Sequence, residues 1–382
     1  MSKTPTKPLL GGLGCHIPPT DLIQLDPHLL PGGPKPGEVI ELTGGSNCGK
    51  SSLAQHLIAT ALLPHTWRGI KIGGCGAVVM LVDCDLHFSI LQLENRMQKR
   101  IKQCLRLGKD ALKKRKLGQQ AEENVIVDEE EIRKLLHSDK GSIKNEIISL
   151  VKQCLKSLSY LRCTNSTQYA ITLLSLEEYM MELNGVSLLV IDSLSAYSWY
   201  DRVYRAKSWT KLKDYYNGIF TTVMACIKKY SVVMIATKGI LFSRKFWEDD
   251  YRDKTRLQTD SKEEGEMKDA EEDMEGVSER ELFGNVWSSH VTHRIILSLQ
   301  HNPTTGSIIG QQTEDSFSER NDTTSSVSNV TPGGSNSIAN KSLNSTTSCS
   351  DRYMYTAELT ANQNKTKLMY AIHEEGIRWQ NK

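Results

Sequence analysis

The sequence lacks the patterns that mark membrane, secreted and zinc-binding proteins. It has no run of about 18 apolar residues, which argues against a membrane-spanning helix. Residues 1–18 lack the apolar stretch of a signal peptide, and the nine cysteines include no C-x-x-C pair, so neither export nor a zinc site is indicated. The net charge of +2 favours no class of partner. We therefore expect a protein of the cytosol or nucleus with reduced thiols.

The most informative stretch is a glycine-rich turn between a strand pattern and a helix pattern. It fits the phosphate-loop pattern G-x-x-x-x-G-K-[ST], whose glycines let backbone N–H groups surround phosphates at the start of a helix. A chance match is disfavoured because both flanking elements are present. Lys50 is expected to reach the β- and γ-phosphates of ATP, and Ser51 to hold Mg²⁺. The predicted nucleotide-binding residues are Gly44, Gly45, Ser46, Asn47, Cys48, Gly49, Lys50, Ser51 and Ser52.

Two further apolar runs end in carboxylates that a nucleotide site can use. Asp192 ends the second run, where a buried strand beside a phosphate loop supplies a ligand for Mg²⁺ through water. Asp85 follows the first run and is a candidate to orient or deprotonate the attacking water. The alternative, that Asp85 only caps the following helix, stays open. Asp85 and Lys50 are thus the candidate catalytic residues.

Composition predicts one α/β core with additional segments. Residues 1–36 are a Pro- and Gly-rich lead-in, and residues 37–301 predict a mostly parallel sheet flanked by helices. A charged insertion is predicted at about 105–144. It overlaps a basic run, 96–116, which holds ten Lys or Arg and one acid, Asp110. The run is interpreted either as a solvated helix face or as a surface for nucleic acid or a partner, although no aromatic residues interleave with the charges.

The last third of the sequence alternates between polar segments and strand patterns. Residues 248–281 contain fifteen acidic and six basic residues and predict a loop that cannot bury a core. Residues 302–350 contain 26 Ser, Thr or Asn among 49 and predict a disordered insertion. Residues 351–382 predict strands that close the core, with turns over 361–364 and at Gly376.

Together these motifs resemble the RecA-like recombinases, and within them the eukaryotic paralogues that assist the strand-exchange recombinase in DNA repair. Gly37–Ser52 is similar to the Walker A strand and loop, and Val82–Leu93 to the second strand with its helix. Ile191–Arg202 resembles the Walker B strand and the segment after it. Gly284-Asn285 with His293-Arg294-Ile295 resembles the strand that follows the second DNA-binding loop, and Tyr370–Ile377 resembles the closing strand and turn. The resemblance implies a RecA-like P-loop ATPase core without the helical N-terminal domain.

The same resemblance implies a function and partners. It implies a nuclear, nucleotide-binding accessory subunit in homologous-recombination repair of double-strand breaks, which assists recombinase assembly on single-stranded or branched DNA. Other paralogues are the implied partners, first the D-type paralogue within a four-member complex. The family's first DNA-binding loop corresponds to a segment with Arg202, Arg205 and Lys207, for which an ordinary solvated loop is the alternative.

Three departures from the family pattern shape these expectations. Asp85 stands where active recombinases have glutamate, so ATP hydrolysis is expected to be weak at most. Thr237 and Lys238 replace the Asn-Gln pair that senses the γ-phosphate. No Phe-x-x-Ala polymerisation motif precedes Gly37, so a homofilament is not expected. The competing hypothesis is an autonomous DNA-stimulated P-loop ATPase or a filament-forming recombinase.

Overall fold

A computed structural model defines the fold. It describes residues 20–117, 125–183, 185–204, 209–239, 283, 285–301, 353–361, 364–373 and 376–380. The predicted acidic loop, 248–281, and the predicted disordered insertion, 302–350, lie outside these residues. Across the described ranges, no helix combines the length and apolar character that a bilayer crossing requires.

The strands form one large sheet and one small ribbon. In chain order the strands of the described residues are β1 (Val39–Gly44), β2 (Thr66–Trp67), β3 (Ile70–Lys71), β4 (Val78–Asp83), β5 (Leu158–Arg162), β6 (Val186–Asp192), β7 (Val233–Gly239), β8 (His293–His301), β9 (Tyr353–Ala361), β10 (Asn364–His373) and β11 (Gly376–Gln380). The sheet order is β11-β10-β9-β8-β1-β7-β6-β4-β5, and β2 pairs with β3 alone. Pairing is parallel from β8 to β5 and antiparallel from β8 to β11.

Helices cover both faces of this sheet. In chain order they are α1 (Lys50–Leu62), α2 (Ile90–Lys116), α3 (Glu129–His137), α4 (Lys140–Leu155), α5 (Ser166–Leu174), α6 (Leu176–Leu183), α7 (Ser198–Tyr204), α8 (Trp209–Tyr230) and α9 (Asn285–Ser288). Buried residues of α1 to α4 share one apolar cluster. Those of α5, α6, α8 and α9 share the other. The fold is therefore three-layered, with a core on each side of the sheet.

Alternation along the central strands explains why both faces are buried. In β1, Ile40 and Leu42 join the cluster on the α1 face, while Val39 joins the cluster on the α8 face. Successive side chains of a strand point to opposite faces, and strands covered on both sides are apolar throughout. The predicted α/β class with a mostly parallel, helix-flanked sheet is confirmed.

Two local predictions differ from the structure. The apolar spacing from Ile147 through Cys154 to Leu158 predicts a helix that extends to Leu158, but α4 ends at Leu155 and Leu158 begins β5 instead. Leu158 lies four residues after Cys154, as a helical residue would, but pairing with β4 decides its conformation. At the end of the chain, Gly376 is not only a turn, because it begins β11, which pairs with β10.

The predicted charged insertion contributes to the core. Helix α2 runs without a break through residue 105, so no structural boundary falls there. Leu105, Leu112, Ile132 and Ile143 are buried in the cluster on the α1 face. Helices α2 and α4 pack against each other and hold the charged exterior of α2 on a rigid support.

Candidate nucleotide site

The predicted site residues meet at one edge of the sheet. Strands β1, β4, β6 and β7 are parallel neighbours, so their carboxyl ends lie side by side. The register pairs Gly44 with Gly239, and Asp83 with Asp192. The phosphate loop, Asp85 and Asp192 come from separate parts of the sequence and are brought together at the edge where open α/β sheets bind ligands.

Two of the three glycines in the phosphate loop, Gly44 and Gly49, occupy positions that disfavour other residues. A Cβ at Gly44 would lie 2.3 Å from the carbonyl oxygen of Leu297 on β8. Gly49 precedes α1 with φ of +88°, and a Cβ there would lie 2.9 Å from Cδ1 of Ile372 on β10. A side chain at Gly44 would collide with the backbone of β8, whereas at Gly49 the left-handed backbone is what favours glycine, since the end of the Ile372 side chain can move.

The loop presents donors suited to an anion. Lys50 Nζ donates to the carbonyl oxygens of Gly44 (3.0 Å) and Gly45 (2.7 Å), which places the ammonium group inside the loop. Helix α1 has no side-chain cap and no acidic residue in its first turn. The next four helices are each capped by a side chain, those of Ser89, Asp128, Asp139 and Asn165. The uncapped N–H groups of α1 therefore fit a phosphate.

Asp192 lies at the end of β6 beside the loop. Its carboxylate accepts hydrogen bonds from Thr237 Oγ1 (2.5 Å) and from Ser51. Burial raises the pKa of Asp192, and the charge of Asp83 adds to this, although both hydrogen bonds and Lys50 oppose the shift. A carboxylate and a hydroxyl in contact form the hard-oxygen set that Mg²⁺ prefers. Ser51 and Asp192 thus fit the predicted metal site.

The two aspartates at the carboxyl end of β4, one in the strand and one just after it, have different environments. Asp83 is buried and accepts hydrogen bonds from the Leu86 N–H (2.9 Å) and the Tyr160 hydroxyl (2.7 Å), so it stabilises the turn. Asp85 is exposed at the site. Loss of hydration raises the pKa of the Asp85 carboxyl, and repulsion from Asp192 adds to it. The alternative that Asp85 caps the next helix is wrong, because the cap of α2 is Ser89.

Thr237 and Lys238 point to opposite faces of the sheet. Thr237 contacts Asp192 within the site. Lys238 faces away, where its Nζ lies 2.9 Å from Glu41 Oε2. The same buried glutamate lies 2.9 Å from Arg294 Nε and accepts a 2.5 Å hydrogen bond from Trp287 Nε1. Of these two residues, only Thr237 therefore lies at the site.

The segment after β6 forms a short helix with exposed aromatic residues. Arg202 lies on this helix, α7, whereas Arg205 and Lys207 lie outside the described residues. The Tyr200 and Tyr204 rings are in contact, with centroids 4.7 Å apart and planes tilted by 35°, and the side chains are 51% and 73% exposed. Buried Asp201 holds the helix in place, because it accepts hydrogen bonds from Tyr216 (2.8 Å) and Ser166. The DNA-binding residues predicted from the sequence are all cations and do not include these aromatic side chains.

The structure combines a mostly parallel, helix-flanked α/β sheet with a phosphate-loop motif at one edge of the sheet. The chain is similar to two DNA repair proteins. The DNA repair protein XRCC2 homolog of Arabidopsis thaliana is 26% identical over 274 residues, which is 68% of each chain. The DNA repair protein XRCC2 of Mus musculus is 25% identical over 227 residues, or 59% of this chain and 65% of the mouse protein. No protein-family model matches the sequence. The similarity to repair paralogues inferred from the motifs is confirmed.

Proposed function

We propose that this chain is a nucleotide-binding accessory subunit in homologous-recombination repair of DNA double-strand breaks. In this proposal it binds MgATP and assists assembly of the strand-exchange recombinase on single-stranded or branched DNA in the nucleus. Similarity to two proteins named for DNA repair supports the repair role. The observation that carries the nucleotide proposal is the loop itself, with Lys50 inside it and Ser51 bonded to Asp192.

The residues present fit a bound MgATP. The uncapped start of α1 and Lys50 would bind the phosphates, and Ser51 with Asp192 would hold Mg²⁺, which would neutralise phosphate charge. Gly45, Ser46, Asn47, Cys48 and Ser52 complete the loop around them. The charge of Asp192 raises the pKa of the Asp85 carboxyl, which shows that the two carboxyl groups are near each other. Asp85 is the candidate to orient an attacking water. It has one methylene less than glutamate, so we expect slow turnover.

The proposed partners are other recombinase paralogues, first the D-type paralogue, and DNA. Helix α7 is the proposed contact for single-stranded DNA, because exposed aromatic rings stack on bases and the same helix carries Arg202. We do not expect a homofilament. The competing hypothesis, an autonomous ATPase, requires the isolated chain to turn over ATP with DNA at ordinary enzyme rates, about 1 to 10³ per second.

Titration of the full chain with a fluorescent ATP analogue and Mg²⁺ tests the nucleotide proposal. Lys50→Ala should weaken binding by about 10- to 100-fold, because charged hydrogen bonds to phosphate are lost. Lys144→Ala on α4, which removes the same charge away from the loop, is the control and should bind normally. A wild-type chain that binds no nucleotide would remove this proposal. Repair of double-strand breaks in cells that carry only Lys50→Ala then shows whether binding is needed.

A further inference from the structure

Helix α2 carries a continuous line of cations along its exterior. Their spacing of three, four, three, four and three residues places them within an arc of about 100° on a helix of 3.6 residues per turn. The line extends for about 26 Å at 1.5 Å per residue. We call it the α2 basic stripe, and its members are Lys99, Lys102, Arg106, Lys109, Lys113 and Lys116.

The α2 basic stripe differs from an ordinary solvated helix face of this protein. On neighbouring α3, acids and bases four residues apart are paired, as in Glu129 with Arg133 and Glu130 with Lys134. Within the described ranges, Lys102, Arg106, Lys109 and Lys116 contact no carboxylate within 4 Å, and Lys113 has one exposed contact of 3.9 Å with Asp110. Like charges at this spacing destabilise a helix, so the stripe does not stabilise the fold.

The helix dipole explains only part of the stripe. Cations in the last turn of a helix interact favourably with its partial negative charge, and the last turn of α2 contains Lys113 and Lys116. The effect falls off within one turn, so it does not reach Lys102, Arg106 or Lys109. The opposite side of α2 buries Leu93 and Met97 against the core, so the stripe is held on a packed helix.

We propose that the α2 basic stripe binds the phosphate backbone of duplex DNA. Its cations supply the sequence-independent attraction that phosphate charge provides, and a straight rod suits the regular spacing of duplex phosphates. The stripe contains no aromatic residue on which unpaired bases can stack, whereas α7 exposes Tyr200 and Tyr204. This inference rests on the proposed function for the choice of DNA over other polyanions. It adds a second surface, separate from α7 and with a different DNA form.

The test measures duplex binding by the full chain at several salt concentrations. The variant Lys102→Gln/Arg106→Gln/Lys109→Gln removes three stripe charges remote from the last turn. The matched control, Lys140→Gln/Lys144→Gln/Lys152→Gln, removes three exposed charges from α4, which packs against α2. Fluorescence anisotropy with a short labelled duplex, between about 50 and 200 mM salt, gives affinity and salt dependence. Thermal unfolding shows that both variants are folded.

We expect the stripe variant to lower duplex affinity by about 10- to 100-fold near 0.15 M salt and to reduce the salt slope by up to about 2.7. The control should change neither. Equal losses in both variants would show only a net-charge effect and would overturn the proposal. Unchanged duplex binding by the stripe variant would also overturn the proposal. If that variant instead lost binding to poly-glutamate, the stripe would bind an acidic protein partner and not DNA.

Two further measurements separate this inference from the proposed function. MgATP binding by the stripe variant should equal wild type, since α2 supplies no residue of the nucleotide site. A wild-type chain that binds MgATP but no duplex overturns the stripe and leaves the nucleotide proposal standing. Tyr200→Ala/Tyr204→Ala should weaken single-stranded DNA binding and leave duplex binding unchanged. Loss of duplex binding in that variant would place the duplex on α7 and overturn the stripe.

Discussion

Asp192 illustrates how a residue suited to binding a ligand can lower the free energy of unfolding. Burial raises the pKa of its carboxyl above the usual 3.8. An acid with a raised pKa in the folded state loses its proton first in the unfolded chain. Its contribution to the free energy of unfolding therefore becomes unfavourable as pH rises from 3.8 through the folded pKa, by roughly 1.4 kcal/mol for each unit of difference. At neutral pH, the carboxylate should destabilise the protein without nucleotide.

We therefore predict that Asp192→Asn raises the unfolding temperature at neutral pH by a few degrees in the absence of nucleotide. The amide oxygen can still accept the hydrogen bond of Thr237, and the side chain carries no charge. The gain should shrink as pH falls, because the wild-type carboxyl is then protonated. Added MgATP should stabilise wild type more than the variant. Differential scanning calorimetry at several pH values measures both effects, and a variant less stable at neutral pH would contradict the prediction.

Asp85 gives a prediction about turnover. Its carboxyl lies at the site and has a raised pKa, caused by lost hydration and the charge of Asp192. A carboxylate placed about 1 Å short of an attacking water can lose about a hundredfold in rate. Asp85→Glu restores the missing methylene and should raise ATP turnover by the isolated chain. Phosphate release compared with Asp85→Asn measures it, and equal rates in the Glu and Asn variants would exclude Asp85 from catalysis.

The residues of the site differ in how far the sequence reveals them. The phosphate loop is contiguous, and Asp192 follows an apolar run, so local pattern was sufficient to find them. The contact between Glu41 and Trp287 joins positions 246 residues apart, and no local pattern indicates it. The role of Thr237 was likewise hidden, because which face a strand residue occupies depends on the register between β1 and β7.

Among the secondary-structure elements, β11 is held to the core by a polar cluster of Asp26, His56 and Trp379, which come from three parts of the chain. Asp26 Oδ2 accepts a 3.0 Å hydrogen bond from Trp379 Nε1 on β11 and lies 3.6 Å from His56 Nε2 on α1. The Ile377 N–H donates to His56 Nδ1 over 3.4 Å. A nitrogen that accepts this bond carries no proton, so His56 is neutral in the folded state.

This cluster predicts acid sensitivity. Burial lowers the pKa of His56 below its usual 6.5, and Arg100 adds to this against the opposing effect of Asp26. Burial alone would raise the pKa of Asp26, but hydrogen bonds from His56, Leu29 and Trp379 more than offset it and leave it below 3.8. Both groups therefore contribute stability that is present above their usual pKa values. It is lost as pH falls, first for His56 below 6.5 and then for Asp26 below 3.8.

Trp379→Phe tests the fastening of β11 directly. The substitution keeps an aromatic ring against Tyr370 but removes the hydrogen bond to a buried carboxylate, which should cost about 1.5 to 3 kcal/mol of unfolding free energy. Urea denaturation at neutral pH measures this cost. Asp26→Asn in the same background should add less than it does in wild type, because the two residues share one hydrogen bond. Fully additive costs would show that the contact contributes nothing.

Strand β5 shows where element prediction from the sequence fails. Its residues follow a helix closely and continue the spacing of that helix, so the pattern alone favoured a longer α4. The strand exists because its backbone pairs with β4, from Val79 with Leu158 to Asp83 with Arg162. The central strands were predictable because burial on both faces makes them continuously apolar, whereas an edge strand such as β5 is only partly buried.

At the scale of the whole molecule, the two ends of the sheet differ. Strand β5 ends the parallel side, and no described strand pairs with its outer edge. The next helix, α5, exposes two large apolar side chains, Ile171 (59%) and Leu174 (50%). Strand β11 ends the other side with alternating exposed polar residues, Arg378 and Gln380. An open strand edge followed by exposed apolar residues is a surface for adding a partner, so the β5 side is the better candidate for docking.

We predict that this chain docks as a terminal subunit on the D-type recombinase paralogue through the β5 side. Size-exclusion light scattering of the mixture should show a 1:1 complex, and the chain alone should show no concentration-dependent filament. Ile171→Asp/Leu174→Asp should weaken the complex, because burial of two charges without partners is costly. Lys365→Asp/Lys367→Asp on β10 is the charge-altered control and should bind normally. Deletion of residues 302–350 should also leave binding intact, since a polar segment of this composition offers little apolar area to bury. A homofilament, or a complex insensitive to the α5 substitutions, would contradict docking at this side.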